Sequence, residues 1–250
     1  MYHVRRTIRE LIRRAMLRST PVSSSHPDAL DCLIASNEFG AYCVPRSSLH
    51  RPAAQSILRG QSWEPETIAF MRANCGSGDI IHAGTYYGDF LPALATSLAN
   101  GALVWAFEAN AENFRCAGIT VALNAIGEKV QLTHAALGAA SGQVALAVSD
   151  SSGRALGGSS HVDPGGTQRV AVVALDAVIP AQRRIAILQL DVEGYEEQAL
   201  RGAEALIKRE KPVLILETVP VGAWFDGLLA ECGYVPAGKF NENFAFWLGD

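Results

Sequence analysis

An α/β fold built around a doubly wound, mostly parallel sheet is what this sequence predicts, and three observations predict it. From Asp79 onward, short apolar runs suited to buried strands alternate with stretches whose apolar residues recur at helical spacing. The turns that follow the apolar runs carry glycines or acids. The chain has 250 residues, 49% of them hydrophobic, which is enough for one sizeable core. The expected organisation is a basic helix and irregular extension over 1–62, then one α/β domain over 63–250.

Residues 63–72 open that domain as a helix started by Ser62 or by the Glu64-Pro65 pair, with Ile68, Phe70 and Met71 for packing. Residues 80–83 and 103–107 are apolar runs fit for buried parallel strands, with a helix over 89–99 between them. A second crossover helix spans 111–123 and a third strand 130–133. Residues 185–190 form a fourth strand. The next helix is marked by Tyr195, Ala199, Leu200, Ala203, Leu206 and Ile207. A fifth strand at 213–216 and a helix at 224–232 lead to residues 244–248, which close the sheet as an antiparallel edge. Right-handed crossovers in that rhythm make the sheet Rossmann-like, seven-stranded and mostly parallel, with helices on both faces.

The flanking segments bound the function classes. Arg5, Arg6, Arg9, Arg13, Arg14 and Arg18 face only Glu10, while Ile8, Leu11, Ile12 and Ala15 fall at helical spacing. This reads as an N-terminal helical extension able to dock on the domain or on a second copy as a homo-oligomer. The remainder carries 15 basic and 24 acidic residues, the wrong sign for a nucleic-acid enzyme. No apolar run approaches the ~18 residues of a membrane span. The cysteines, five in number and without CxxC spacing, read as reduced thiols of a cytoplasmic protein. Residues 21–52, broken by Pro21, Pro27, Gly40, Pro45 and Pro52, read as an irregular link, although Phe39, Tyr42, His50 and Arg51 are more than a link needs. Residues 149–167 hold five glycines and five serines, either a lid over a site or disorder. Residues 143–148 and 169–174 look extended and pair as a hairpin with that loop at its tip.

Ligands of a doubly wound sheet bind beyond the carboxyl ends of its strands. After the first strand comes His82-Ala83-Gly84-Thr85-Tyr86-Tyr87-Gly88-Asp89, in which Gly84 and Gly88 let backbone approach a ligand. This is G-x-x-x-G and not the dinucleotide fingerprint G-x-G-x-x-G. His82 reads either as a hydrogen-bonding site residue or as a satisfied buried histidine. Tyr86 and Tyr87 offer hydroxyls and ring faces, one of the two for packing. Glu108 ends the second strand, where its carboxylate can emerge to accept both hydroxyls of a ribose while contributing little to the core. Asn110 suits the cap of the next helix. After the fourth strand, Glu196 and Glu197 are explained by a helix N-terminus, whereas Asp191 and Glu193 sit at the strand tip and suit chemistry. Glu217 adds an acid after the fifth strand. Asp191, Glu193 and Glu217 can supply oxygen ligands to magnesium, but strand-tip acids are common without an ion, and no metal is expected.

Together these motifs resemble the FkbM-type methyltransferase family over about residues 63–217. The most specific part is IAILQLDVEGYEEQALRGAEALI, supported by VWAFEANAENF, HAALGAASGQVAL and VVALDAVI. The resemblance implies an S-adenosylmethionine-dependent enzyme that methylates hydroxyl oxygens of small molecules such as secondary metabolites or sugars. By it, Gly84 and Gly88 correspond to the cofactor loop, Glu108 to the ribose acid, and Asp191 with Glu193 to the D-x-E-G pair near the transferred methyl. His82, Tyr86 and Asn110 complete the expected cofactor site. Asp191, then Glu193 and His82, are the expected catalytic residues. The first loop departs from the family's D-x-G-A-N-x-G, with His82 for the aspartate, Thr85 for the alanine and Tyr86 for the asparagine. The contact that the aspartate makes with the cofactor's amino-acid end must therefore be made differently. Two other readings stay open: a non-catalytic S-adenosyl-ligand-binding or scaffolding protein, and a nicotinamide-dependent oxidoreductase, which would need a third glycine.

Overall fold

The computed structural model describes residues 29–249. The basic helix expected in the first 18 residues, and any contact between copies through it, lie outside them. One compact unit runs from Asp31 to the C-terminus, so the boundary expected at residue 62 falls inside it.

The stretch expected to be an irregular link is, in its described part, a hairpin followed by a 3-10 turn at Arg46–Ser48, with a helix beginning at its last residue. Strands β1 (Cys32–Asn37) and β2 (Gly40–Pro45) pair antiparallel, and α1 spans Pro52–Leu58. Prolines sit at the ends of these elements, where a missing N–H costs nothing, so they bound structure here instead of abolishing it.

The domain continues with α2 (Pro65–Asn74), β3 (Asp79–Ala83), α3 (Leu91–Ser97), β4 (Val104–Glu108), α4 (Ala111–Leu123) and β5 (Val130–His134). An insertion follows with β6 (Ala136–Leu137), β7 (Gly142–Ala147), β8 (His161–Val162) and β9 (Gln168–Val173). After it come α5 (Leu175–Val178), β10 (Ile185–Leu190), α6 (Glu196–Arg201), α7 (Glu204–Glu210), β11 (Val213–Leu216), α8 (Ala223–Cys232), β12 (Tyr234–Phe240) and β13 (Asn243–Leu248).

Seven strands form the main sheet in the order β12-β13-β11-β10-β3-β4-β5. Strands β11, β10, β3, β4 and β5 are parallel, while β13 runs antiparallel to both β11 and β12. The sheet is thus mixed, with β13 alone reversed. Residues 244–248 were expected at the edge; instead β12 lies outside β13. Strand order reverses between β3 and β10, and this switch point places the loop after β3 beside the loop after β10.

Successive residues of β10 point to opposite faces, and all but one are fully buried. Leu188 and Leu190 pack with Leu200, Ile207 and Phe225 of α6, α7 and α8. Ile187 packs on the other face with Ile68 and Met71 of α2 and Leu91 and Leu94 of α3. Helices therefore cover both faces. The helix expected as one piece from Tyr195 to Ile207 is two, broken at Gly202. A Cβ there would lie 2.0 Å from the Gly138 carbonyl oxygen, and the Asp176 carboxylate accepts from Ala205 N and Leu206 N to start α7.

Strands β7 and β9 pair antiparallel, as expected of residues 143–148 and 169–174. The glycine-rich loop between them is ordered: β8 adds to β7, and Gly157–Ser159 form a 3-10 turn.

Candidate functional site

Four strand tips converge at the switch point. Gly84 N and Thr85 N donate to the Phe107 carbonyl at the end of β4, Asp191 N to the Ala83 carbonyl, and Glu217 N to the Leu190 carbonyl. The loop after β3 thus lies in backbone contact with the loops on either side. Gly84 has φ +81°, and a Cβ on it would lie 1.7 Å from the Asp191 carbonyl oxygen. No other residue fits there.

Gly84, Asp191 and Gly158 lie between two cavities and line both. The first, about 40 Å³, lies under the tips of β4 and β5, with walls that include Phe107, Ala109, Leu137, Leu146, Val162 and Tyr195. The second, about 180 Å³, is acidic: Glu64, Asp89, Asp191, Glu193, Glu217 and Glu242 line it, with Arg51 as its one formal cation.

Glu108 stands at the first cavity but does not emerge from the sheet as expected. It is buried, its Oε2 accepting from Tyr86 N at 2.7 Å and its Oε1 from Asn110 N at 2.8 Å. Burial pushes its pKa up to about 7 against the lowering effect of these donors. It therefore clamps the first loop to the start of α4. Asn110 caps α4, its Oδ1 accepting from Glu112 N and Asn113 N, while its Nδ2 donates to Ser160 Oγ at 2.9 Å.

His82 faces the second cavity. It is buried, stacked on Phe90, and its Nδ1 is hydrogen-bonded to Gln189 Oε1. Because that oxygen only accepts, Nδ1 carries the proton and Nε2 keeps a lone pair, with no partner among the described residues. Burial lowers the pKa of the ring to about 4, so it is neutral at pH 7.

The acids around it shift the other way. Burial and then the Glu64 charge raise Asp89 to about 8, while burial raises Glu64 itself to about 7. Asp191 is pushed well above the usual carboxylate range by burial and then by Glu217; Glu193 is raised by the same two causes. One carboxylate oxygen each of Asp191, Glu193 and Glu217 lies within 4.8 Å of the others. Backbone strain collects here too. Glu64, Tyr86 and Glu193, all lining this cavity, are three of the six non-glycine residues with positive φ among the described residues.

Tyr87 is fully buried packing, while Tyr86 lines the acidic cavity with its ring 3.5 Å from where a Cβ of Gly158 would stand. Gly88, φ +84°, lets the chain turn into α3. The hairpin ahead of the domain supports this loop: Thr120 Oγ1 accepts from Cys43 N of β2 and donates to the Tyr87 carbonyl.

The structure thus brings His82, Gly84, Tyr86, Asp191 and Glu193 to the second cavity, and Gly84, Glu108 and Asp191 to the first. Gly88 and Asn110 shape the loops from behind. The sequence reading missed Glu64, Asp89 and Glu242 as site residues. Asp89 follows the glycine turn directly and was readable as a site acid; Glu64 and Glu242 come from distant segments with no local signal.

A glycine turn after the first parallel strand, an acid at the tip of the next and both loops at the switch point define an α/β enzyme fold built for a nucleotide-like cofactor. Residues 82–244 match the methyltransferase FkbM domain, and the chain belongs to that family. Among solved structures, it is similar to the FkbM methyltransferase of Methylobacillus flagellatus KT, with 16% identity and a TM-score of 0.49 over 68% of this chain and 44% of that one. It thus spans less than half of that protein's length. It is also similar to a methyltransferase from Geobacter sulfurreducens (12%, TM-score 0.42, 80% of this chain and 86% of that one). A third is the tRNA (uracil-54, C5)-methyltransferase of Pyrococcus abyssi in complex with S-adenosyl-L-homocysteine (12%, TM-score 0.43, 86% and 43%). No curated protein matches the sequence. Among the described residues, no helix is long and apolar enough to cross a membrane.

Proposed function

We propose that the chain transfers a methyl group from S-adenosylmethionine to a hydroxyl oxygen of a small molecule such as a sugar or secondary metabolite. The observation that carries this reading is the meeting of an apolar and an acidic cavity at Gly84 and Asp191. The apolar walls suit a purine. Glu108 Oε1 accepts from both Asn110 N and Asn113 Nδ2, but Oε2 keeps a lone pair beyond its bond from Tyr86 N, so the clamp can also accept from a ribose. Asp89 and Glu64 provide acceptors for an α-amino group, whose positive charge would favour their ionised forms, the task that the family's aspartate performs where this chain has His82.

When bound, the cofactor supplies a methyl already activated on a sulfonium. What remains for the chain is alignment and a place for one proton. Asp191 would take the proton of the acceptor hydroxyl as the methyl passes to that oxygen and the sulfur leaves as a neutral thioether. It stands at the tip of β10 and lines both cavities, beside the place where donor and acceptor would meet. The lone pair on His82 Nε2 offers a second acceptor on the same cavity, and Glu193 holds the acceptor's polar groups.

Calorimetry with S-adenosylmethionine and with NADH tests this. Saturable binding of the sulfonium ligand alone is expected; binding of the nicotinamide and not the sulfonium would overturn the reading.

A further inference from the structure

The acids of the second cavity are more numerous than proton transfer requires. Asp191, Glu193 and Glu217 come from two adjacent strand tips, and none forms a salt bridge among the described residues. Three ionised carboxylates with oxygens within 4.8 Å repel one another unless a cation or a shared proton sits among them. Oxygens bound to one calcium-sized ion, at about 2.4 Å each, lie at most about 4.8 Å apart, and a magnesium- or manganese-sized ion needs only a small closing movement. Like charges alone do not make a site. The second observation is His82: it is 2% exposed, its Nδ1 is committed to Gln189, its face to Phe90, and the orphaned Nε2 lone pair belongs to a residue that lines the same cavity. Every other formally charged group in the lining except Arg51 is an acid.

We infer that Asp191, Glu193 and Glu217 form a binding site for a hard divalent cation, with His82 Nε2, on the lining of the same cavity, as the acceptor for an ion-bound water. All-oxygen donors select Mg²⁺, Mn²⁺ or Ca²⁺ over softer ions. This replaces the expectation of no metal. The ion's place rests on the cavity alone, whereas its use rests on the methyl-transfer reading: an acceptor hydroxyl held by it gives up its proton more easily.

The test uses full-length protein stripped with EDTA and desalted, titrated with Mn²⁺ while free Mn²⁺ is read by electron paramagnetic resonance. One saturable Mn²⁺ per chain is expected, displaced by excess Mg²⁺ or Ca²⁺. Glu217→Gln should weaken binding about tenfold or more, the effect of 1.4 kcal/mol. Glu242→Gln, an acid of the same cavity outside the triad, should change it less than about threefold. Absence of saturable binding, or equal weakening by both variants, overturns the site in favour of diffuse charge attraction. Should Glu217→Gln fail to fold, the wild-type protein still decides: the His82 ring C–H resonances should broaden and saturate at one equivalent of Mn²⁺, and their failure to broaden overturns the site. Calorimetry of the stripped protein with S-adenosylmethionine is run alongside, so a failed cofactor and a failed cation give separate results.

Discussion

The two cavities share Gly84, Asp191 and Gly158, yet they are built by opposite means. The apolar one has walls of strand-tip and insertion side chains, and the acid that it does not share with the other, Glu108, is already engaged by two backbone donors. The acidic one gathers carboxylates from the tips of β10 and β11, from the starts of α2 and α3, and from the β12–β13 turn, and it keeps an unpaired histidine nitrogen. The first is satisfied by the protein itself; the second is left for an occupant to complete. Stability should therefore depend on the first and ligand or proton equilibria on the second.

The seam between them offers the largest effect. Gly84→Ala puts a methyl where the Asp191 carbonyl stands and demands a left-handed backbone, so both cavities should be lost together. We expect destabilisation of about 3 kcal/mol or more, read as a lowered Tm or insoluble protein. A soluble variant with wild-type Tm would show that the seam yields.

Glu108→Ala separates the cavities. It leaves Tyr86 N and Asn110 N without their acceptor, at about 1–3 kcal/mol for each buried donor, so Tm should fall without any ligand. Glu108→Gln retains one carbonyl acceptor and should fall between. An unchanged Tm with weakened cofactor binding would restore the simpler picture of a free ribose acid.

The acidic cavity should show itself through pH, and more weakly. Glu64 and Asp89 have folded pKa values near 7 and 8, above their unfolded values near 4, so their contribution is full below about pH 4 and is lost progressively as pH rises from there through 7 to 8. His82 works the other way, with a folded value near 4 against about 6.5 unfolded; stability falls as pH drops through that window. Above pH 6.5 only the acids count. The Tm of the ligand-free protein should decline from pH 6.5 to 8, and Asp89→Asn should flatten part of that decline. A slope unchanged in the variant would mean that Asp89 is ionised in the folded state at neutral pH.

The same contrast decides what the sequence disclosed. Strand β10, helix α4 and strand β11 stand at the expected residues, because burial on two faces or a capped helix leaves a local pattern. Strand β12 left none: Pro236, Gly238 and Lys239 read as turn residues, and a register shift between Pro236 and Gly238 accommodates them. The break at Gly202 depends on a backbone 64 residues away. In the site, Asp191, Glu193 and Gly84 were legible because topology alone sends strand tips to one place. The inward turn of Glu108 was not, since it depends on two N–H groups whose direction only the folded loops determine.

The turn at Gly157–Ser160 lies along both compartments. Arg51 donates to Ser159 Oγ, Asn113 Nδ2 to the Gly157 carbonyl at 3.0 Å, and Asn110 Nδ2 to Ser160 Oγ. The apolar cavity as it stands holds only a few waters, at about 10–15 Å³ each, so a nucleoside must push this turn outward to enter. Because the same residues wall the acidic side, that displacement reshapes the neighbouring chamber as well. Occupants of the two chambers, as proposed above, would consequently be linked in the thermodynamic sense: whichever entered first would change the affinity met by the second, and by reciprocity each would report on the other by the same factor.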